Sequence, residues 1–372
     1  MPLPRPVAAF VALVALCWFL SPTASAQAAT PRHVAPGVHA AGEPDLGPNV
    51  YVFDPSMPVS QIQSTVDTIA AQQVPNQFGT ERYALLFKPG TYGSAAQPLN
   101  FQVGYYTEVA GLGRNPGDVV INGSIDVYNQ GGIALNNFWR SLSNLTINVS
   151  NPGAGCYAGE FWAVSQAAPM RRVHVNGNTT LMDYCTSPSF ASGGFIADSQ
   201  FTGGNIVNGS QQQFYVRNSA IDSWSNGVWN QVFSGDEGAP AECFPADASC
   251  GGPYTTLETT PVSREKPYLY VDDSGAWRVF VPAPATDSRG TTWSAGQTPG
   301  RSNPPVGLLR GAPLRLGRDH RQPARAGSQP ARHARGVRRL AHDQGQARRH
   351  GRARPGPGDA DRRARRRTAG RR

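Results

Sequence analysis

Apolar positions along this chain change their period. Between Ser60 and Gln73 they fall at Ile62, Val66 and Ile69, a roughly helical spacing, and the segment predicts a helix with Ser60 as its N-cap. On either side, Asn49–Phe53 and Tyr83–Phe87 are compact runs rich in β-branched and aromatic residues and predict strands. The second run ends in Lys88-Pro89-Gly90-Thr91-Tyr92, a turn followed by an aromatic. Short strands punctuated by Asn and Gly come next: Val109–Gly113, Val119–Gly123, Leu145–Ile147, Val173–Val175, Ser199–Phe201 and Ser219–Ile221. The last four end in steps of 28, 26 and 20 residues. Sandwich strands recur every ~8–12 residues, whereas the coils of a solenoid take 20 to 30. One such coil cannot bury its apolar side alone and needs a neighbour above and below. The pattern predicts an all-β fold, a parallel β-helix (solenoid) with a short N-terminal helix. Tyr268–Val271 and Trp277–Val281 flank Asp272-Asp273-Ser274-Gly275-Ala276 and predict a C-terminal hairpin, as a cap or as the start of a linking region.

The termini differ from this middle. Residues 1–26 read as a secretory signal: Arg5, an apolar stretch from Val7 to Leu20, and Ala24-Ser25-Ala26 as a cleavage site. Residues 27–47 form a Pro-rich, flexible leader, residues 48–300 the solenoid, and residues 301–372 an Arg-rich tail. The formal net charge of +9 hides an imbalance. The tail holds 21 Arg and 4 Asp, a balance of +17, which leaves −8 for the first 300 residues. An acidic globular part argues against nucleic acid as a partner, and no apolar run after the signal is long enough for a membrane span. The tail lacks Phe, Trp, Tyr, Ile, Met, Cys, Lys and Glu, so it predicts disorder. Arg without a single Lys also fits GC-rich DNA read out of frame. One base forward, residues 333–337 can encode Thr-Pro-Gly-Val-Tyr and residues 355–358 Leu-Gly-Leu-Gly, which repeats Pro89-Gly90-Thr91-Tyr92 and Gly111-Leu112-Gly113. The offset from Tyr92 to Gly111 is 19 residues, and that from 337 to 356 is the same. A frameshifted start of a second β-helix is the expectation.

After signal cleavage four cysteines remain: Cys156, Cys185, Cys243 and Cys250. An even number in an exported chain points to disulfides, and the shortest loops pair Cys156 with Cys185 and Cys243 with Cys250, although three connectivities are possible. No metal-ligand spacing such as CxxC or HxxxH is present, so neither metal nor cofactor is expected.

Three segments combine aromatic and polar groups in the way a sugar site requires. Glu160 lies between Cys156 and Trp162, a setting that raises a carboxyl pKa towards that of a general acid. Asp222-Ser223-Trp224-Ser225-Asn226-Gly227-Val228-Trp229-Asn230-Gln231 packs two Trp, one carboxylate and three amides into ten residues. As a strand it would place Trp224, Asn226, Val228 and Asn230 on one face. The alternative is an Asn ladder with a buried Trp. Arg171-Arg172-Val173-His174-Val175 offers a cation for an acidic sugar or the base of a lyase, the alternative being salt bridges to Asp183 or Asp198. Glu160 and Asp222 are thus the catalytic candidates, with Trp162, Trp224, Asn226, Trp229, Asn230 and Arg172 as substrate-binding candidates.

The helix, the run Leu85-Leu86-Phe87-Lys88-Pro89-Gly90-Thr91-Tyr92 and Val109-Ala110-Gly111-Leu112-Gly113 together resemble the opening of pectate-lyase-like right-handed β-helix proteins. With a tandem second opening the plan resembles glycoside hydrolase family 55, the exo-acting β-1,3-glucanases. The resemblance covers roughly residues 48–300. It implies a right-handed solenoid, a polysaccharide substrate and a cleft that uses two solenoid halves; with the signal segment the expectation is a secreted, monomeric protein. Its motifs mark fold more than chemistry. A non-catalytic carbohydrate-binding solenoid and a polysaccharide lyase are the competing readings. Actinobacterial look-alikes also carry an adenylyl cyclase label, for which no Walker-type loop or paired metal-binding Asp is present.

Overall fold

A computed structural model of the chain describes residues 44–150, 155–186, 190–209, 211–225, 228–244 and 252–303. All lie in the first of two compact units; the second, Ala312–Arg372, falls outside the described residues. So do the signal segment, nearly all of the leader and all but the first residues of the tail.

The chain winds as stacked coils whose strands pair in parallel. A first sheet runs through Val50–Phe53, Tyr83–Phe87, Thr107–Gly111, the first half of Arg140–Val149, the first half of Met170–Asn176, Gly194–Ala197, Gln213–Arg217, Asn230–Ser234 and Tyr254–Leu257. The second halves of Arg140–Val149 and Met170–Asn176 turn a corner and join a second face with Gly90–Tyr92, Val119–Asp126, Gln200–Thr202 and Ala220–Ile221. Glu160–Phe161, Thr179–Thr180 and Ile206–Val207 make a third.

The spacing that predicted coils is visible as a ladder. Ile121, Ile147, Val175, Phe201 and Ile221 stand opposite one another in consecutive coils, all buried. Outward of them Asn122, Asn148 and Asn176 stack in the same register, with the Asn148 amide donating to Asn122 Oδ1 at 3.0 Å.

The helix spans Val59–Gln73 and buries Ile62, Val66 and Ile69, as the periodicity predicts. Its N-cap is Pro58, not Ser60: the Pro58 carbonyl accepts from the Gln61 and Ile62 N–H groups, and no side chain caps the end. The hairpin forms between Tyr268–Val271 and Trp277–Pro282. It does not close the solenoid end. It lies along the outer side of the first sheet, where Trp277 packs with Val52, Leu86 and Leu112 as a second, smaller core. Cys156 and Cys185 are bonded, and Cys243 is also in a disulfide, while Cys250 lies outside the described residues.

Candidate functional site

Both ends of the first sheet are sharp corners, and the coils turn them through residues with positive φ. At the exit corner these are Asn144 (φ 55°), Arg172 (55°), Asp198 (50°) and Asn218 (49°). Their side chains form a polar column. Arg172 Nε donates to Asn144 Oδ1 at 3.2 Å, and its Nη1 donates to Asp198 Oδ2 at 3.1 Å and to Thr298 Oγ1 at 2.8 Å. The guanidinium also lies 4.4 Å from the Tyr268 ring centre. Thr292 donates to Asp198 through N–H and hydroxyl, at 2.6 and 2.8 Å. Burial pushes the Asp198 carboxyl up to about 6, against the pull of Arg172. Segment 260–303 covers this corner, so Arg172 is buried and saturated. It does not bind sugar or act as a lyase base in this arrangement; the salt bridge to Asp198 is the reading that the structure bears out. Arg171 pairs instead with Glu265, which also binds Arg217 at 2.6 Å, and lies over the Phe195 ring.

Glu160 is fully buried. Its Oε2 accepts the Ile125 N–H at 2.9 Å, and its other oxygen has no hydrogen-bond partner among the described residues. On the neighbouring strand Asp126 accepts from the Phe161 N–H, the Ser124 hydroxyl and the Tyr128 hydroxyl. Desolvation, and then the Asp126 charge, raise the Glu160 pKa well above the carboxylate range; burial pushes Asp126 up to about 6. The raised pKa expected for Glu160 is present, and its first cause is complete burial, with the Asp126 charge second. Tyr128, Tyr157 and Phe161 pack over this region, with ring centres 5.0–5.3 Å apart. Asp126 and Tyr128 also border a groove of about 470 Å³ beside the helix, with Asp67, Asn100 and Gln102.

Asp222 is exposed, and its Oδ2 accepts the Gly203 N–H at 3.0 Å. Following the register from Glu160 through Thr179 and Ile206 to the bridge at Ser225, it stands three coils away. At the spacing of adjacent strands this is about 14 Å. The two catalytic candidates are not brought together.

Of the expected sugar platforms one is a core residue and one is partly buried against the core. Trp162 is fully buried, its indole N–H donating to the Ala168 carbonyl at 3.0 Å. Trp224 packs edge-on against Phe214 and Phe233, at 5.5 and 5.1 Å. The expected strand starts only at Asn230, so the chain ahead of it is free to turn Trp224 inwards. Trp229 and Asn230 are exposed, and Asn226 lies outside the described residues.

The entry corner of the first sheet is different in kind. Tyr106 (φ 56°), Trp139 (53°) and Ala167 (60°) occupy matching positions ahead of consecutive strands. The Tyr106 and Trp139 rings stack at 5.4 Å and 10°, and Arg82 lies 3.5 Å over the far face of Tyr106. Continuing the register places Gly193, Gln213 and Asn230 next along the same edge. Trp139 is not among the candidates that the sequence offered. Its 33-residue separation from Tyr106, one coil, was the available signal.

Among the described residues no group of three or more His, Cys, Asp or Glu is placed to hold a metal, and no helix is long and apolar enough to cross a membrane.

Residues 101–235 match the rhamnogalacturonase A/epimerase, pectate lyase-like family. An exo-beta-1,3-glucanase of Streptomyces sp. (strain SirexAA-E / ActE) is 49% identical over 296 residues, covering 79% of this chain and 45% of that protein. The structure of sacteLam55A from Streptomyces sp. SirexAA-E superposes with a TM-score of 0.62 at 50% identity, covering 73% of this chain and 45% of that one. A variant of sacteLam55A in complex with glucose matches equally well. The chain therefore spans about half the length of the curated relative that it matches. It is a pectate-lyase-like parallel β-helix that resembles, over that half, the exo-acting β-1,3-glucanases of glycoside hydrolase family 55.

Proposed function

We propose that this chain is the solenoid of a secreted, monomeric glycoside hydrolase acting on β-1,3-glucan, and that its part is to hold the glucan. The observation that carries the reading is the 49% identity over 296 residues to an exo-beta-1,3-glucanase. The edge bearing Trp139, Gln213, Trp229 and Asn230 supports it, because these side chains offer aromatic faces and amides to solvent. The Cys156–Cys185 disulfide fits an oxidising compartment.

Glycoside hydrolases use carboxyl pairs about 5–9.5 Å apart. Glu160 and Asp222 are too far apart and too unequal in exposure to be such a pair, which leaves Asp222 as the exposed acid–base candidate of this chain. Affinity electrophoresis in gels containing laminarin tests the reading: the chain is expected to be retarded, and unchanged mobility overturns it. Glucose release from laminarin then separates two readings. Release that falls about 100-fold or more in Asp222→Asn assigns that carboxylate an acid–base role. Retardation without release identifies a binding solenoid, the reading that the burial of Glu160 favours.

A further inference from the structure

The outer face of the first sheet has a dip under the segment that covers it. Val52, Leu86, Ala110, Ser143 and Arg171 stand opposite one another in consecutive coils. Side-chain size falls from Leu86 to Ala110 and Ser143 and rises again at Arg171. From the level of Leu86 to that of Arg171 is three coils, about 14 Å. Trp277 packs on Val52 and Leu86. Beyond it, Pro267 and Leu269 of the covering segment face the dip across a cavity of about 370 Å³. Protein interiors leave few voids larger than a water molecule, so a space of this size needs a reason. At about 30 Å³ for each water-sized group it holds about 12 non-hydrogen atoms.

Two charged side chains on its wall have unmet hydrogen-bonding atoms. Glu265 is buried; Arg217 donates to its Oε1 at 2.6 Å, while Oε2 has no hydrogen-bond partner among the described residues. Arg171 makes no hydrogen bond among the described residues. Its Nη1 stands 3.8 Å from Glu265 Oε2, too far for a hydrogen bond. Burial lowers the Arg171 pKa, and the charge of Glu265 only partly restores it. The other charged groups that line the cavity are paired closely, Arg172 with Asp198 at 3.1 Å and Lys266 with Glu108 at 2.9 Å. A buried carboxylate oxygen without a donor is costly, and here it lies beside an idle donor in an apolar space.

We infer that this cavity binds a small apolar molecule with a carboxamide head. The carbonyl of the head accepts from Arg171, its N–H donates to Glu265 Oε2, and the apolar body lies between Ala110 and Leu269. Apolar walls with a few convergent polar groups are the usual make-up of a small-molecule site. A carboxylate head would satisfy Arg171 but set a second negative charge against Glu265, and an ammonium head would do the reverse with Arg171. The site is independent of the glucan reading and does not rest on it.

Calorimetric titration of the full chain at pH 8 with octanamide, whose about ten non-hydrogen atoms fit the space, tests it. Wild type is expected to bind octanamide saturably, with a Kd below about 1 mM, and octanoate about tenfold or more weakly. Arg171→Met, which removes the donor, and Ala110→Leu, which fills the dip and leaves every charge in place, are each expected to weaken octanamide binding about tenfold or more. Unchanged far-ultraviolet circular dichroism shows that both variants are folded. Absence of saturable heat with octanamide overturns the site, as does wild-type affinity in both variants. Octanoate binding as tightly as octanamide overturns the carboxamide head. Octanamide that binds only after residues 27–43 are removed also overturns the proposal, and makes that segment the occupant.

Discussion

The two corners of the first sheet have the same backbone and opposite chemistry. Both turn through positive φ in successive coils. At the exit corner the column Asn144, Arg172, Asp198, Asn218 is polar, buried and covered by the segment that carries Tyr268, Thr292 and Thr298. At the entry corner the column is aromatic, then small, and open to solvent. A solenoid repeats its backbone so regularly that side chains at equivalent positions are free to diverge. One corner has become a joint that fastens a following segment. The other has kept a surface. The lesson is that a charged motif such as Arg171-Arg172 is no guide to a binding site until what covers it is known.

The contrast is most exposed at Arg172. Removing it with Arg172→Ala leaves Asp198 buried without its countercharge, and a loss of about 3–5 kcal/mol is expected in denaturant unfolding. Replacing both partners, as Arg172→Met with Asp198→Leu, is expected to restore most of that. Wild-type stability in Arg172→Ala would show that the exit corner is no joint.

The Asp126–Glu160 pair gives a second, intermediate effect. Both carboxyls have folded-state pKa values raised above their unfolded values, near 4. Their neutral forms are favoured in the fold, so their contribution is fully present below about pH 4 and is lost as pH rises through about 6 for Asp126 and through the raised pKa of Glu160. Asp198 and Asp236, raised to about 6 and about 7 by burial, act in the same direction. The melting temperature is expected to fall between pH 4 and pH 8, by an amount equivalent to on the order of 3 kcal/mol for Asp126 alone. Glu160→Gln should flatten that fall. An unchanged pH profile in this variant would mean that the pair does not share a titration.

The smallest effect belongs to the open corner. Trp139→Ala loses the stack on Tyr106 and the tilted contacts with Tyr105 and Phe138 at a half-exposed ring, and about 1 kcal/mol of stability is expected in the same denaturant experiment. A loss comparable to that of Arg172→Ala would turn the entry corner into a second joint and remove the distinction between the two.

Much of the architecture was legible in residue spacing. The strands ending at Ile147, Val175, Phe201 and Ile221 are the rungs of one ladder, because a coil must return to the same face to bury its apolar side. The helix and the C-terminal hairpin were legible for equally local reasons, apical spacing in the one and a turn sequence in the other. The site was less so. Glu160, Trp162 and Trp224 have the composition of a sugar site, yet inward or outward orientation at a corner is set by the bend of the coil, which no local pattern records. Trp229 and Asn230, which the sequence offered as substrate-binding candidates, are exposed.

By itself the sequence determined the coil, its period and the inward apolar positions, all of which follow from periodicity, and it favoured the Cys156–Cys185 loop that the structure contains. Only the tertiary structure decided which corner is covered and which is open. That choice depends on contacts between residues more than 90 positions apart, such as Arg172 with Thr298 and Asp198 with Thr292, and on register across coils of unequal length. Neither leaves a trace in the local pattern of apolar and polar residues.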